Sequence, residues 1–260
     1  MAIITFMSDF GMSDHYVSAV KAKILSVNPS LRIFDVCHEI EPHNIAHAAY
    51  VLRAVYKDFP KGTVHLISVN SLGESNNRFL ASKIDDHIFV GPDNGIFSLI
   101  CEKEPSMIAE LFNSESIHSS FPSKNILAKA AAMLASGSGI NDVGSYTKDY
   151  MKKIDRKFRA TKKQISGNVI RIDHYGNLIT NIEEEVFKIL HKDRPFYIQF
   201  GRERSDKINL SYDEMDDGDC FALFNDLGLL EIGINKGNAS KLLGLRYDSP
   251  VNILFEDPEH

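Results

Sequence analysis

Apolar residues recur along this chain in two rhythms, and the rhythm changes near residue 168. In the first part, AIITFM (2–7), RIFDV (32–36) and TVHLISV (63–69) are short runs rich in β-branched and aromatic residues, the texture of buried strands. Between them, HYVSAVKAKILSV (15–27) places Tyr16, Val20, Ile24 and Val27 at helical spacing and ends at Asn28-Pro29. NIAHAAYVLRAVYKDF (44–59) predicts an amphipathic helix stopped by Pro60 and Gly62, and ILAKAAAMLASG (126–137) an alanine-rich helix closed by glycine. FLASKI and HIFVG predict a hairpin, and FVGPDNGIFSL (89–99) reads as strand, tight turn, strand. Strand and helix in alternation give an α/β domain with a central mixed sheet.

The later rhythm is all-β. NVIRID, LITNI, PFYIQF, KINLSY, CFALFN, LLEIGI and VNILFE are strand-length runs separated by turn residues, which predicts a small barrel or sandwich. Segment 145–167 separates the two textures, with eight Lys or Arg against two Asp and no clean periodicity. The expected organisation is an N-terminal α/β domain over 1–147, a basic linker over 148–167 and a small all-β, barrel-like C-terminal domain over 168–260.

Composition narrows the function. The formal net charge of −6 over 260 residues gives no reason to expect nucleic acid or an anionic membrane as partner. Cys37, Cys101 and Cys220 show no paired spacing, so they read as reduced thiols. The N-terminus lacks the basic-then-apolar pattern of a signal peptide, and no run approaches the ~18 apolar residues of a membrane span. A cytoplasmic protein is the expectation.

Chemistry concentrates in a few stretches. SDFGMSDHY (8–16) puts Asp9 at the carboxyl end of the first strand, where a carboxylate accepts hydrogen bonds from both hydroxyls of a ribose diol. The alternative is that Asp9 and Ser13 only cap the following helix. In IDHYGNLITNI (172–182), Asp173, Tyr175 and Asn177 alternate, joining an acid, an aromatic plane and an amide that suit an ammonium, an adenine face and an adenine edge. A polar turn with a stacking tyrosine explains the same residues. At VHLISVNSLGESNNR (64–78) a strand ends at Asn70, an amide that cannot act as a base. His38, His43 and His47 lack a carboxylate where a third metal ligand is needed, so no metal is expected.

Taken in order, these stretches resemble one family, the S-adenosylmethionine hydroxide adenosyltransferases, or SAM hydrolases, with their fluorinase and chlorinase relatives. SDFG…D.YV..VK is similar to that family's TDFG…D.YVG..KG. FDVCHEI (34–40), FPKGTVHL (59–66), GPDNG (91–95), DHYGNLITNI (173–182) and NDLGLLEIGINKGNA (225–239) resemble further blocks. The resemblance runs nearly end to end. It implies an α/β domain followed by a β-barrel, and a homotrimer with each site between neighbouring subunits. It also implies displacement of methionine from C5′ of S-adenosylmethionine by water or hydroxide, with no cofactor. The segment Arg78–Gly91 is too short for the extra loop of the fluorinase.

By position, the resemblance gives Asp9 the ribose diol, Tyr175 and Tyr212 the two adenine faces, Asn177 the adenine edge and Asp173 the methionine ammonium. The Asn225-Asp226 loop would face the methionine carboxylate or the adenine edge, although Asp226 replaces the family's serine and would repel a carboxylate. The hydrolases surround the attacking water with Asp, Arg and His. Here Asn70 stands at the aspartate, Arg78 at the arginine allowing one residue of loop difference, and Pro122 at the histidine. His118, four residues earlier, is a candidate substitute. A guanidinium stabilises hydroxide electrostatically, whereas an amide orients water without taking its proton. The resemblance therefore leaves two readings, a divergent hydrolase and a non-catalytic adenosyl-binding protein.

Overall fold

The structure, a computed structural model, describes residues 3–72, 78–101, 104–112 and 119–256. The chain divides into two compact units, Met1–Asp155 and Arg156–His260. The stretch expected as a linker is shared between them. Met151 N donates to Asp93 Oδ1 and Lys153 N to Ser98 Oγ in the first unit, while Arg159 and Ala160 already pair with a strand of the second. Two of its positive charges are met locally, Lys152 by Glu104 and Arg156 by Asp248.

The first unit contains β1 (Ile3–Ser8), α1 (Tyr16–Val27), β2 (Arg32–Cys37), α2 (Ile45–Val55), β3 (Val64–Ser68), β4 (Phe79–Ile84), β5 (His87–Pro92), α3 (Ile96–Ile100), β6 (Met107–Leu111), α4 (Ala128–Ala135), α5 (Ile140–Val143) and β7 (Gly144–Tyr146). The sheet order is β2-β1-β3-β5-β4-β6-β7. Its first four strands run parallel and the rest pair antiparallel, so the sheet is mixed as expected. Alternation along the strands feeds two cores. Ile4, Phe6 and Leu66 pack with Val20 and Ile24 of α1 and the alanines of α4, while Met7, Ile67 and Phe89 pack with Ala48 and Leu52 of α2.

The predicted β4–β5 hairpin is present, from Phe79 opposite Pro92 to Ile84 opposite His87. The expected strand after Gly95 is instead the short helix α3. Asn94 Oδ1 accepts from Ile96 N, and Gly95 turns through a left-handed φ of 96°. IFSLI is apolar on nearly every side and too short for periodicity to separate strand from helix.

The second unit contains β8 (Arg159–Ala160), β9 (Gln164–Ile172), β10 (Leu178–Glu183), α6 (Glu184–His191), β11 (Phe196–Phe200), β12 (Glu203–Ser205), β13 (Cys220–Phe224), β14 (Leu229–Ile234), α7 (Ala239–Leu243) and β15 (Pro250–Phe255). Its antiparallel, barrel-like sheet runs β12-β11-β15-β9-β10-β14-β13, with β8 on β9. The long β9 joins the halves, pairing with β15 through Gln164–Asn168 and with β10 through Val169–Ile172. Ile165, Val169, Leu178, Ile198, Ile232 and Ile253 fill the interior. KINLSY is not a strand. Asn209 makes a local bracket with Ala222 and Ile208 packs on the barrel core, but Leu210 stays 93% exposed, so the run has no continuous apolar face to bury. Among the described residues no helix is long and apolar enough to cross a membrane.

Candidate functional residues in each unit

In the first unit, β1, β3 and β5 are neighbours and parallel, so their carboxyl ends deliver Asp9, Asn70 and Asp93-Asn94 to one edge of the sheet. Asp9 does not cap α1, whose N-cap is His15 with no side-chain capping bond. Asp9 Oδ2 instead accepts two backbone N–H groups, from His43 and Asn70, each at 3.0 Å. Both donors sit at positive φ, 64° and 48°. One carboxylate oxygen thus holds two strained loop residues, and Oδ1 makes no hydrogen bond among the described residues. Asn tolerates the left-handed region better than most residues. Asn94 Nδ2 adds bonds to the carbonyls of Val69 and Asn70, at 3.0 and 3.4 Å.

The residue before Asp9 is fixed as firmly. Buried Ser8 bonds His38 Nδ1 at 2.7 Å, and His38 Nε2 bonds Asp35 Oδ1 at 3.1 Å. The order Ser-His-Asp has the look of a nucleophile relay, yet Ser8 is 0% exposed. It braces the strand end that carries Asp9. His38 is thereby accounted for, His43 takes part through its backbone N–H alone, and His47 accepts from Glu41 N. Among the described residues, no group of three or more His, Cys, Asp or Glu is placed to hold a metal ion.

Arg78 is drawn into an ion cluster. Its Nε donates to Glu110 at 2.9 Å, Nη1 reaches Asp93 at 3.1 Å and Asp149 at 3.2 Å, and Nη2 donates to Thr147 and to the Asp149 carbonyl. Every guanidinium nitrogen therefore has a protein partner. Burial pushes the Asp93 carboxyl up in spite of this cation. Pro122 is buried at the start of a π-helical turn, Ser123–Leu127, that leads into α4. His118 lies outside the described residues.

In the second unit the expected residues meet. A groove of about 770 Å³ is lined by Asp173, Tyr175, Asn177, Tyr212, Phe221 and Asn238, among others. The β9–β10 turn builds one wall: Asp173 Oδ1 accepts from Asn177 N at 2.8 Å, and the Asp173 carbonyl accepts from Gly176 N. This leaves Tyr175 at the tip, 75% exposed. Gly176 sits at φ 91°, and a Cβ there would fall 2.2 Å from the Asn238 side chain. Tyr212 stands edge-on to Phe221, with ring centroids 5.4 Å apart.

A residue that sequence reasoning missed sits behind this groove. Glu231 of β14 is 4% exposed and accepts from Asn177 Nδ2 at 2.9 Å and Asn225 Nδ2 at 3.0 Å. Burial, the charges of Glu231 and Asp226, a hydrogen bond to Glu231 and the charge of Asp173 push the Tyr212 hydroxyl up to about 12. The available signal was an acid inside the apolar run LLEIGI. Asn225 Oδ1 is spent on Leu227 N and Leu229 N, so Asn225 is bound within its own loop, while Asp226 is exposed.

Residues 4–144 match the SAM hydroxide adenosyltransferase N-terminal domain, and residues 167–252 match the C-terminal domain. The chain belongs to the SAM hydroxide adenosyltransferase family. A protein of Methanocaldococcus jannaschii named (R)-S-adenosyl-L-methionine hydrolase is 32% identical, covering 97% of this chain and 96% of its own length. One of the same name from Thermus thermophilus is 28% identical, covering 98% of this chain and 100% of its own. A fluorinase from an Actinoplanes species is 28% identical over 69% of this chain and 71% of its own. A crystal structure of an uncharacterized conserved protein from Thermotoga maritima superposes with a TM-score of 0.87 at 31% identity, over 96% of this chain and 99% of that one.

Proposed function

We propose that this SAM hydroxide adenosyltransferase family member cleaves S-adenosylmethionine at C5′, with water as nucleophile, to give adenosine and L-methionine. The oxygen of water bonds to C5′ as the C5′–S bond breaks. The bonding pair goes to sulfur, which passes from sulfonium to neutral thioether, and a water proton is released. The observation that carries this reading is the groove of the second unit, where Asp173, Tyr175, Asn177 and Tyr212 converge in a family whose similar full-length relatives are named for this hydrolysis.

The parts suit that substrate. Asp9 has one oxygen anchored and one open to ribose hydroxyls. Tyr175 and Tyr212 offer aromatic area to a base. Asp173, a carboxylate in the groove lining, suits the substrate's ammonium. The sulfonium supplies its own leaving group, so no cofactor is invoked, and the chain's chief task is to place water in line and exclude the rest. The Asn70 side-chain oxygen orients that water, and Arg78 acts on it only by giving up one of the carboxylates it is paired with. We place each substrate between two copies of a homotrimer, the first unit of one and the second unit of another. Three unpaired cysteines suit a cytoplasmic protein.

Incubation with S-adenosylmethionine followed by chromatography tests this, with adenosine and methionine expected in equal amounts. Light scattering tests the trimer. A second reading, an adenosyl-binding protein without turnover, is favoured by the saturated guanidinium of Arg78 and by Asn70 and Pro122 standing where the family's acid and histidine would be. Under that reading the ligand raises the melting temperature and no product forms.

A further inference from the structure

Two amide donors converge on Glu231, and the chemistry of that meeting restricts the groove further. The two Glu231 oxygens accept from Nδ2 of Asn177 and of Asn225, so the Asn177 amide turns its Nδ2 towards Glu231. Asn177 Oδ1 then has no partner among the described residues. The unpartnered side-chain oxygens that are fully enclosed there are those of Ser68 and Ser82, so Asn177 Oδ1 opens to the groove that Asn177 lines. Glycine at 233 makes room for it, since a Cβ at that position would lie 2.6 Å from Asn177 Oδ1 and 2.0 Å from the Phe221 ring. Asn225 cannot substitute, because its oxygen is taken by its own loop.

We propose that Glu231 is a positioning residue that sets the base preference of the groove: it locks Asn177 so that its oxygen and remaining N–H meet a purine 6-amino group and N7, and rejects a 6-oxo purine. An asparagine amide pairs in this bidentate way with adenine, whose edge offers a donor beside an acceptor. Hypoxanthine or guanine offers two acceptors there, and the locked oxygen repels one of them. Without Glu231 the amide could flip, which sets an N–H at position 6 and its oxygen against N7. Adenine then loses both bonds, while a 6-oxo purine only exchanges one match for another. With Glu231 the orientation is fixed before the ligand arrives. The inference rests on the nucleoside reading of the groove given above.

Calorimetric titration of the full-length protein with adenosine, purine riboside and inosine tests it, alongside Glu231→Gln checked by thermal melting. In the wild type adenosine should bind at least about tenfold more tightly than inosine, with purine riboside between them. In E231Q a single side chain must serve both Asn177 and Asn225 as acceptor and donor. The adenosine-to-inosine ratio should therefore collapse towards one or invert, beyond any uniform loss of affinity. A wild type that binds the three alike overturns the inference, whatever the fate of the variant. So does an E231Q that weakens all three equally and keeps their ratio, which leaves Glu231 a merely structural brace and the hydrolase reading intact. Binding of none of them by the wild type removes the nucleoside reading and the inference with it.

Discussion

The two units handle their polar side chains in opposite ways. In the first, nearly every chemistry-bearing group is tied to another: Asp9 to two loop amides, Ser8 to His38 and Asp35, and Arg78 to Asp93, Glu110 and Asp149. In the second, Tyr175 and Tyr212 stand 75% and 50% exposed around a groove, and the buried polar groups behind them hold those walls in place. Recognition needs surfaces that are open and fixed, while activation of water needs a group free to take or stabilise charge. On the proposed reading, the second unit keeps the residues expected at the adenine and the ammonium, with Asp226 in place of the family's serine as its one departure. The first has amide and proline where an acid and an imidazole would act, so recognition should be the more robust property and turnover the more fragile one.

The contrast can be broken most sharply at Asp9, the point where we propose that the first unit also recognises ligand. Asp9→Ala removes a charged acceptor and the anchor of Asn70, and should cost about 10²-fold or more in adenosine affinity by calorimetry. Unchanged affinity would take Asp9 out of the site.

Stacking in the second unit comes next. Tyr175→Ala and Tyr212→Ala should each weaken adenosine about 5- to 100-fold, the range for loss of one base–aromatic contact. If only Tyr212 matters, the exposed tip at Tyr175 is not a wall of the bound state.

A smaller effect separates the groove's frame from its contacts. Gly176→Ala places a Cβ 2.2 Å from Asn238 at a φ of 91°, so it should lower stability by about 1–3 kcal/mol in denaturant titrations. A neutral substitution would mean that the β9–β10 turn yields freely and does not fix Asp173 and Asn177.

The mildest test belongs to the sheet under the first site. His65 is fully buried, bonded to Thr5 and His87, and burial followed by the charge of His87 holds its imidazole down to about 3. The unfolded chain takes up this proton near pH 6.5 and the folded chain does not. The stability contributed by neutral His65 is therefore whole above about pH 6.5 and is lost progressively as pH falls towards 3. Melting temperatures of the wild type should drop more steeply from pH 7 to pH 5 than those of His65→Phe. Parallel profiles would remove His65 from the acid sensitivity.

Much of this was legible in the chain because it depends on periodicity and strand ends. The buried runs at 2–7 and 63–69 predict strands ending at Asp9 and Asn70, and the structure pairs those strands parallel with both ends at one sheet edge. The alternation of Asp173, Tyr175 and Asn177 flagged the groove wall, although these residues form a turn rather than a strand face. The short helix at Ile96–Ile100 was not legible, since five apolar residues carry no usable period. Nor were the partners of Arg78, which lie 15, 32 and 71 positions away and meet it only through sheet pairing and the packing of 147–153. Glu231 was hidden for a related reason. Within LLEIGI its neighbours Leu230 and Ile232 face the barrel interior, and only the register of β14 against β10 and β13 shows that its own side meets Asn177 and Asn225.

The central claim is that water displaces methionine at the ribose carbon. Incubating the protein with S-adenosylmethionine in ¹⁸O-water and weighing the nucleoside by mass spectrometry tests it directly. The account predicts adenosine heavier by one ¹⁸O, carried on the 5′-oxygen, together with an equal amount of unlabelled methionine. Ligand binding with no adenosine formed, or adenosine without the label, would contradict it.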